Sequence, residues 1–429
     1  MRLLTGIVIF SVAVALTGRQ AVADTSALYT GRPINLGSCQ SNFGYGQYCK
    51  KSSPWNVGFW TEAGIYANTR GTKLERNDTS PYFSHASGNG ILLGNLQNPD
   101  FNMNQTGLFL ERKMDTSCGF DWGFKTQMLF GTDAYITQSR EDFWLDHDWR
   151  SGDYYTSISD LYLTAGYQKL GVKVGKFASP LTFEHVESPN NFFYSHSYGY
   201  LQGPATHSGV LLDYRHHCRL SFFGGWTMGS DAGWSNRFND SAFLGGARYN
   251  LWKGGNLSYA MQYSDIHGGE YKNKFRPSKM AGFGVLLEPG QDMTAYYHSM
   301  VFTQDLGCRW DYAAEWYLMN GEVSNKQNID DVTRYGICQY LTYQMTCKLG
   351  LGFRGEWMRI DDGYNANFYA MTFGANWTPV QCLMIRPEVR YGWHDDLGGA
   401  GWQMFNSSPG IGGQNREQLS LGIAAMYKF

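Results

Sequence analysis

The stretch Gln418–Phe429, QLSLGIAAMYKF, decides the fold class of this chain. Leu419, Leu421, Ile423, Ala425, Tyr427 and Phe429 take the odd positions, and Gln418, Ser420, Gly422, Ala424, Met426 and Lys428 the even ones. Successive side chains of a strand point to opposite faces, so this ribbon has one apolar face and one small or polar face. A terminal strand of a soluble sandwich could alternate in this way. The aromatic last residue, without a polar tail, instead fits the closing strand of a transmembrane barrel. On that reading Leu421, Ile423, Ala425, Tyr427 and Phe429 form a candidate signal for the barrel-insertion machinery.

The amino end points to the same destination. Met1–Arg2 is a short basic start, Leu3–Leu16 an apolar run, and Ala21-Val22-Ala23 before Asp24 has the small-x-small form of a signal-peptidase site. The run is too short to span a bilayer and polar chain follows it, so residues 1–23 read as an export signal. No later segment reaches the roughly eighteen apolar residues of a membrane helix, which excludes helical spans. The mean hydropathy of -0.39 is that of a soluble protein, and also of a barrel in which only alternate residues meet lipid. Aromatic residues make up 16% of the chain and 52 of its 429 residues are Gly, which suits interfacial girdles, tight turns and crowded barrel walls. A formal net charge of -2 implies no nucleic-acid partner.

Strand-like segments recur throughout. Pro54–Thr69 places Trp55, Val57, Phe59, Ala63, Ile65 and Ala67 on one face, and Gly119–Thr132 does the same with Phe120, Trp122, Phe124, Met128 and Phe130. In Tyr154–Gln168, Ile158 is out of phase with Leu161, Leu163, Ala165 and Tyr167. Similar patterns run through Arg309–Asn320, Lys348–Arg359 and Leu383–Asp395, with further segments near 103–114, 172–177, 204–214, 219–229, 242–252, 257–265, 293–304, 333–344 and 367–378. Together with the terminal strand these predict an all-β, antiparallel transmembrane barrel of about sixteen strands over residues 54–429. Short connections (115–119, 169–171, 215–218, 253–256, 305–308, 345–347, 379–382) alternate with mostly longer ones (70–102, 133–153, 178–203, 230–241, 265–292, 321–332, 361–366, 396–416). Brief periplasmic turns and extended outer loops would give this order, with both termini in the periplasm. Residues 24–53, rich in Gly, Ser, Asn and Gln, read as a periplasmic extension or a plug.

Specific words appear in DLYLTAGYQKLGVKVGKFASPLTFE (Asp160–Glu184), SPNNFFYSHSYGY (Ser188–Tyr200), GPATHSGVLLDY (Gly203–Tyr214) and IRPEVRYGWHDD (Ile385–Asp396). This pattern resembles the OmpL-like putative β-barrel porins, a family abundant in planctomycetes. There a Val-Gly-Lys-Phe strand leads into a long loop with a Ser-Pro-x-Asn element and returns through a Pro-x-x-His-x-Gly strand. The resemblance implies an outer-membrane channel and names no solute.

In the register set by the apolar faces, charges fall on the opposite faces. Arg309, Asp311 and Glu315 share one strand, Arg354 and Glu356 another, Arg386, Glu388 and Arg390 a third, and Asp160, Lys173 and Arg248 join them. An Arg or Lys facing lipid at mid-bilayer costs about 2–4 kcal/mol, so these residues are expected inside, lining a pore or bracing its wall as ion pairs. The 178–203 connection, with Glu184, His185, Glu187, His196 and many aromatics, is a candidate constriction loop, an external cap being the alternative. The acids Glu141, Asp142, Asp146, Asp148 and Asp153 could bind a hard cation, but their spacing lacks the central Gly and terminal Glu of an EF-hand, and a solvated loop is favoured. Among eight cysteines, Cys39 and Cys49 are close enough for a local disulfide. Cys118, Cys218, Cys308 and Cys347 each stand two residues before an outward apolar residue, on strands too far apart to pair with one another. No Cys-x-x-Cys or zinc spacing occurs, so neither a metal nor a cofactor is expected.

The leading expectation is a passive channel for small hydrophilic solutes or ions, embedded in outer-membrane lipid and compatible with a homotrimer. Its rivals are a barrel hydrolase and a plugged structural or adhesin barrel. The adjacent pairs Ser195-His196 and His207-Ser208 are the nearest material for hydrolysis, but neighbours on a strand face opposite ways and make no ready nucleophile–base couple.

Overall fold

The structure is a computed structural model that describes residues 54–68, 101–116, 119–139, 146, 149–151, 154–234, 240–267, 292–324, 329–361, 366–395 and 417–429. The proposed export signal, the 24–53 segment with Cys39 and Cys49, Cys118, and the acids Glu141, Asp142, Asp148 and Asp153 lie outside the described residues.

Sixteen long strands are present among the described residues. The first eight are β1 (Trp55–Asn68), β2 (Phe101–Arg112), β3 (Phe120–Gly131), β4 (Tyr154–Tyr167), β5 (Leu170–Ala178), β6 (Thr206–His217), β7 (Leu220–Ser230) and β8 (Ser241–Trp252). The second eight are β9 (Gly255–His267), β10 (Asp292–Leu306), β11 (Trp310–Ser324), β12 (Ile329–Thr346), β13 (Leu349–Asp361), β14 (Ala366–Val380), β15 (Leu383–His394) and β16 (Glu417–Lys428). Each pairs antiparallel with its sequence neighbours, and β16 returns to β1 in the register Ala63↔Ala425. Reciprocal backbone hydrogen bonds join Phe59 and Phe429 (3.2 and 2.8 Å) at that seam. The sheet is therefore a closed barrel without an edge. No helix among the described residues is long and apolar enough to cross a membrane.

The closing strand behaves as its alternation predicts. Leu421, Ile423, Ala425, Tyr427 and Phe429 are exposed, whereas Gln418, Ser420, Gly422, Ala424 and Met426 are buried. The same rule places Trp55, Val57 and Ile65 outside on β1 and Trp60, Glu62, Gly64 and Tyr66 inside. The phase break at Ile158 has a structural cause. Gln127 pairs with Asp160 and Met128 with Ile158, so Ser159 is an extra residue, and this bulge turns the strand by one position. Beyond it β4 leaves β5 and pairs instead with the short segment Arg150–Ser151. The β11–β12 connection is shorter than expected, 325–328, because inward alternation continues through Val323 and resumes at Val332.

The interior is less polar than the alternation suggested. Met293, Ala295 and Tyr297 on β10, Tyr317 and Met319 on β11, Met358 and Ile360 on β13 and Phe368 on β14 are buried in one cluster with Phe183, Phe192, Phe193 and Tyr198 from the β5–β6 connection. A chain segment that enters a barrel must bury its own apolar side chains, and this wall receives them.

Candidate constriction and its anchoring site

The connection between β5 and β6 folds into the barrel rather than over it. Leu181, Phe183, Val186, Phe192, Phe193, Tyr198 and Tyr200 are buried, and a short helix α1 (Tyr198–Gln202) is capped by Ser197, whose hydroxyl accepts from the Tyr200 N–H. Gly352 on β13 gives the loop room, since a Cβ there would lie 2.3 Å from the Phe192 ring.

Three arginines on the facing wall hold the loop, and all are among the largest fully buried side chains. Arg354 donates to Glu356 (2.8 Å) and Glu184 (2.9 Å), to the Ser195 carbonyl (2.7 Å) and hydroxyl (2.8 Å), and at longer range to the His196 carbonyl and Thr372. Arg390 donates to the His196 carbonyl (2.9 Å), pairs with Glu356 (3.1 Å) and lies over the Tyr198 ring. Arg386 reaches the Ser188 and Asn191 carbonyls (3.1 and 3.0 Å), the Ser188 hydroxyl (2.6 Å) and Glu62.

The wall carboxylates accept from the loop in return. Glu388 takes the Tyr194 and Ser195 N–H groups (2.9 and 3.2 Å), the Ser195 hydroxyl and the Tyr66 hydroxyl. Glu356 accepts the Tyr198 N–H (2.6 Å) and Glu315 the Phe183 N–H (3.2 Å). Across the barrel seam, Gln105 donates to the Val186 carbonyl (2.9 Å) and accepts the Ser188 N–H (3.0 Å), while Lys125 and Gln127 bind Glu187 (3.2 and 2.9 Å). The loop is thus tied to walls on both sides of the seam.

Electrostatics favour the ionised loop acids. Burial opposes charge on Glu184, but Arg354 and the hydrogen bonds from His196 and Ser197 outweigh it, and its carboxyl is pushed down to about 2. Burial likewise opposes charge on Glu187, and Lys125, His185 and Gln127 bring it to about 2. Asp133, just beyond β3, goes the other way. Burial, then the neighbouring Glu62, hold it up at about 7.

The predicted residues are distributed as follows. Asp160, Lys173, Glu315, Arg354, Glu356, Arg386, Glu388 and Arg390 face inward and are buried. Asp160 binds Lys125 (2.7 Å) and Lys173 lies over the Tyr162 ring. Arg248 and Asp311 are inward and partly exposed. Arg309 departs from expectation: it lies exposed in the turn before β11, because that strand begins one residue later, at Trp310. The three wall arginines depart too, since they meet the loop rather than water. His185 lies within the loop, its N–H bound to Asn191 (2.8 Å), and His196 Nδ1 contacts Glu184 (2.9 Å). Asp146 is a buried partner of Lys176 (3.0 Å) rather than part of a solvated loop. No metal-competent cluster occurs among the described residues.

The Ser-His pairs do not couple. Ser195 is engaged by Glu388 and Arg354, and His207 contacts Ser179 (3.1 Å) rather than Ser208. Glu62, Gln105, Lys125, Gln127 and Ser188 join the site without having stood out in the sequence. The even-numbered polar positions of β1 and the odd-numbered ones of β3 were available signals, while Ser188 on the loop carries no periodic signal.

A sixteen-stranded antiparallel barrel, apolar outside and with a loop pinned across its interior, is the architecture of a porin-type outer-membrane channel. The chain belongs to the family described as putative beta-barrel porin-2, OmpL-like, whose model matches residues 64–429. Among solved structures, the outer membrane channel DcaP of Acinetobacter baumannii is similar with a TM-score of 0.54 at 12% identity, over 87% of this chain and 97% of that one. An anion-selective porin from Comamonas acidovorans follows at 0.53 and 8%, over 87% and 99%. A trimer form of OmpT, an outer membrane protein of Vibrio cholerae, follows at 0.50 and 14%, over 87% and 99%. At such identities the likeness is one of fold. No curated protein matches the sequence.

Proposed function

We propose that this porin is a passive diffusion channel for small hydrophilic solutes or ions, narrowed by the loop 179–205. The observation that carries this reading is the buried Arg354–Arg386–Arg390 network, which fixes that loop across the interior. A fixed loop sets a constant aperture, whereas a loosely packed one would fluctuate. Arg248 and Asp311, inward and partly exposed, are placed to meet a solute. Export by residues 1–23, a periplasmic position for both termini, a Cys39–Cys49 disulfide and recognition of the Leu421–Phe429 face by the insertion machinery complete the proposal. The trimer form of the Vibrio cholerae protein supports, by analogy, a homotrimer.

The test is conductance of the refolded full-length protein in planar bilayers. Discrete open-channel steps, with a reversal potential in a salt gradient that shifts on Arg248→Gln, are expected. An absence of steps across several refolding conditions would overturn the channel reading.

A further inference from the structure

Among the described residues, cations dominate the tips of the short turns. Six of the seven short turns carry a Lys or Arg: Lys113, Lys169, Arg219, Lys253, Arg309 and Lys348. All six are exposed. Their visible side-chain partners are neutral: Lys169 donates to the His216 carbonyl (3.1 Å), Lys348 to the Pro379 carbonyl (2.9 Å) and Arg309 to the Tyr343 hydroxyl (3.5 Å). Asp115 is the one acid in the described parts of these turns, and the exposed Asp305 stands at a strand end beside the 253–254 turn. Among the described residues at the other end, Asp292, Glu322, Asp331, Asp395 and Glu417 are exposed. The chain as a whole has a formal net charge of -2, so a cationic rim is not a consequence of bulk charge.

Height matters as much as sign. Tyr167, Trp252, Trp310 and Trp377 stand on the outer wall, exposed, at the short-turn ends of their strands. Such aromatics sit at the level of lipid headgroups. Lys169, Lys253 and Arg309 follow or precede three of them by one or two residues, which sets the cations just beyond the aromatic belt. Long basic side chains there reach the phosphate plane while their stems cover apolar surface.

We infer that the short-turn rim is a collar that binds the phosphate headgroups of anionic phospholipid in the leaflet around it. One cation per turn, spread around the circumference, fits many separate headgroups; a single soluble polyanion would favour a focused cluster. The inference rests on the outer-membrane reading for the presence of a bilayer, but it does not depend on conduction.

The experiment is native mass spectrometry of the full-length protein released from bilayers of mixed phosphatidylglycerol and phosphatidylcholine, counting retained lipids. Phosphatidylglycerol should be enriched roughly fivefold over its bulk fraction, the factor that one cation near an anionic surface carries. The enrichment should fall toward one in about 0.5 M salt, where screening is short-ranged. The variant K169Q/R219Q/K253Q/R309Q/K348Q should lose it, whereas D292N/E322Q/D331N at the opposite rim should keep it. Heat-shifted migration on gels verifies that each variant is folded, and the salt series on the unaltered protein tests the idea without any variant. Equal retention of the two lipids, or enrichment that survives the five substitutions, would overturn the collar. Enrichment abolished by millimolar inorganic phosphate at matched ionic strength would assign the rim to free phosphate and overturn the lipid assignment.

Discussion

Arg354→Gln is the sharpest perturbation of the loop. Arg354 is buried and donates to two carboxylates, two carbonyls and two hydroxyls. Breaking a buried ion pair by removing one partner costs about 3–5 kcal/mol, because the remaining charge is left uncompensated. Here the carboxylates are not fully abandoned. Glu184 keeps the Tyr340 hydroxyl (3.0 Å), His196 and the Ser197 N–H, and Glu356 keeps Arg390 and the Tyr198 N–H. The lower figure, about 3 kcal/mol, is therefore expected, equivalent to roughly a hundredfold in the equilibrium for loop release. Chymotrypsin reads that equilibrium, since Phe183, Phe192, Phe193, Tyr194, Tyr198 and Tyr200 lie in the loop and cleavage of an opened state tracks its population. Cuts mapped by mass to 179–205 should appear about a hundred times faster in the variant while the barrel stays intact. Arg354→Lys, which keeps the charge but not the planar fork, should fall between. Loop cleavage within threefold of the unaltered protein would refute the claim that this residue pins the loop.

Acid should mimic the substitution. Glu184 and Glu187 have folded values depressed to about 2 from 4.5, so their contribution is present above pH 4.5 and is lost as pH falls through 2. Pepsin should cut the loop increasingly over that window, and equal protection at pH 2 and pH 5 would contradict the assignment. Gly352→Ala should displace Phe192 and lower stability by about 1–3 kcal/mol, as overpacking does. At Gly350 an added Cβ would meet Phe192 at an ordinary 3.5 Å, so Gly350→Ala should leave the unfolding midpoint nearly unchanged, and equal shifts for the two variants would count against this packing. Cys218, Cys308 and Cys347 are exposed and Cys338 is buried, so peptide mapping after maleimide treatment of the folded protein should find the first three labelled. Labelling of Cys338 before denaturation would mean that the β12 register is wrong.

The fold was legible because a membrane barrel is written in alternation. Leu421, Ile423, Ala425, Tyr427 and Phe429 face outward and every even residue from Gln418 to Met426 turns inward, a rule that two-residue periodicity states directly. Even the break at Ile158 carried information, since a bulge is the one local event that shifts phase without ending a strand. The candidate site was legible only by half. Alternation placed Arg354, Arg386 and Arg390 on inner faces, but it does not report what stands opposite them. That depends on a loop whose path is set by nonlocal contacts such as Ser188 to Arg386, 198 residues apart.

This distinction changes what the inner charges do. A guanidinium with its donors spent on Ser195, Glu184 and Glu356 is not free to bind a passing anion, because each new contact would have to displace a buried hydrogen bond. On the proposed channel reading, the arginines would bear on solutes chiefly through the position of the loop they hold. On the same reading, charge discrimination would fall to inward groups that keep contact with water. Arg248 on β8 and Asp311 on β11 are such groups, so the proposed channel would read size at the loop and charge at separate positions on the wall.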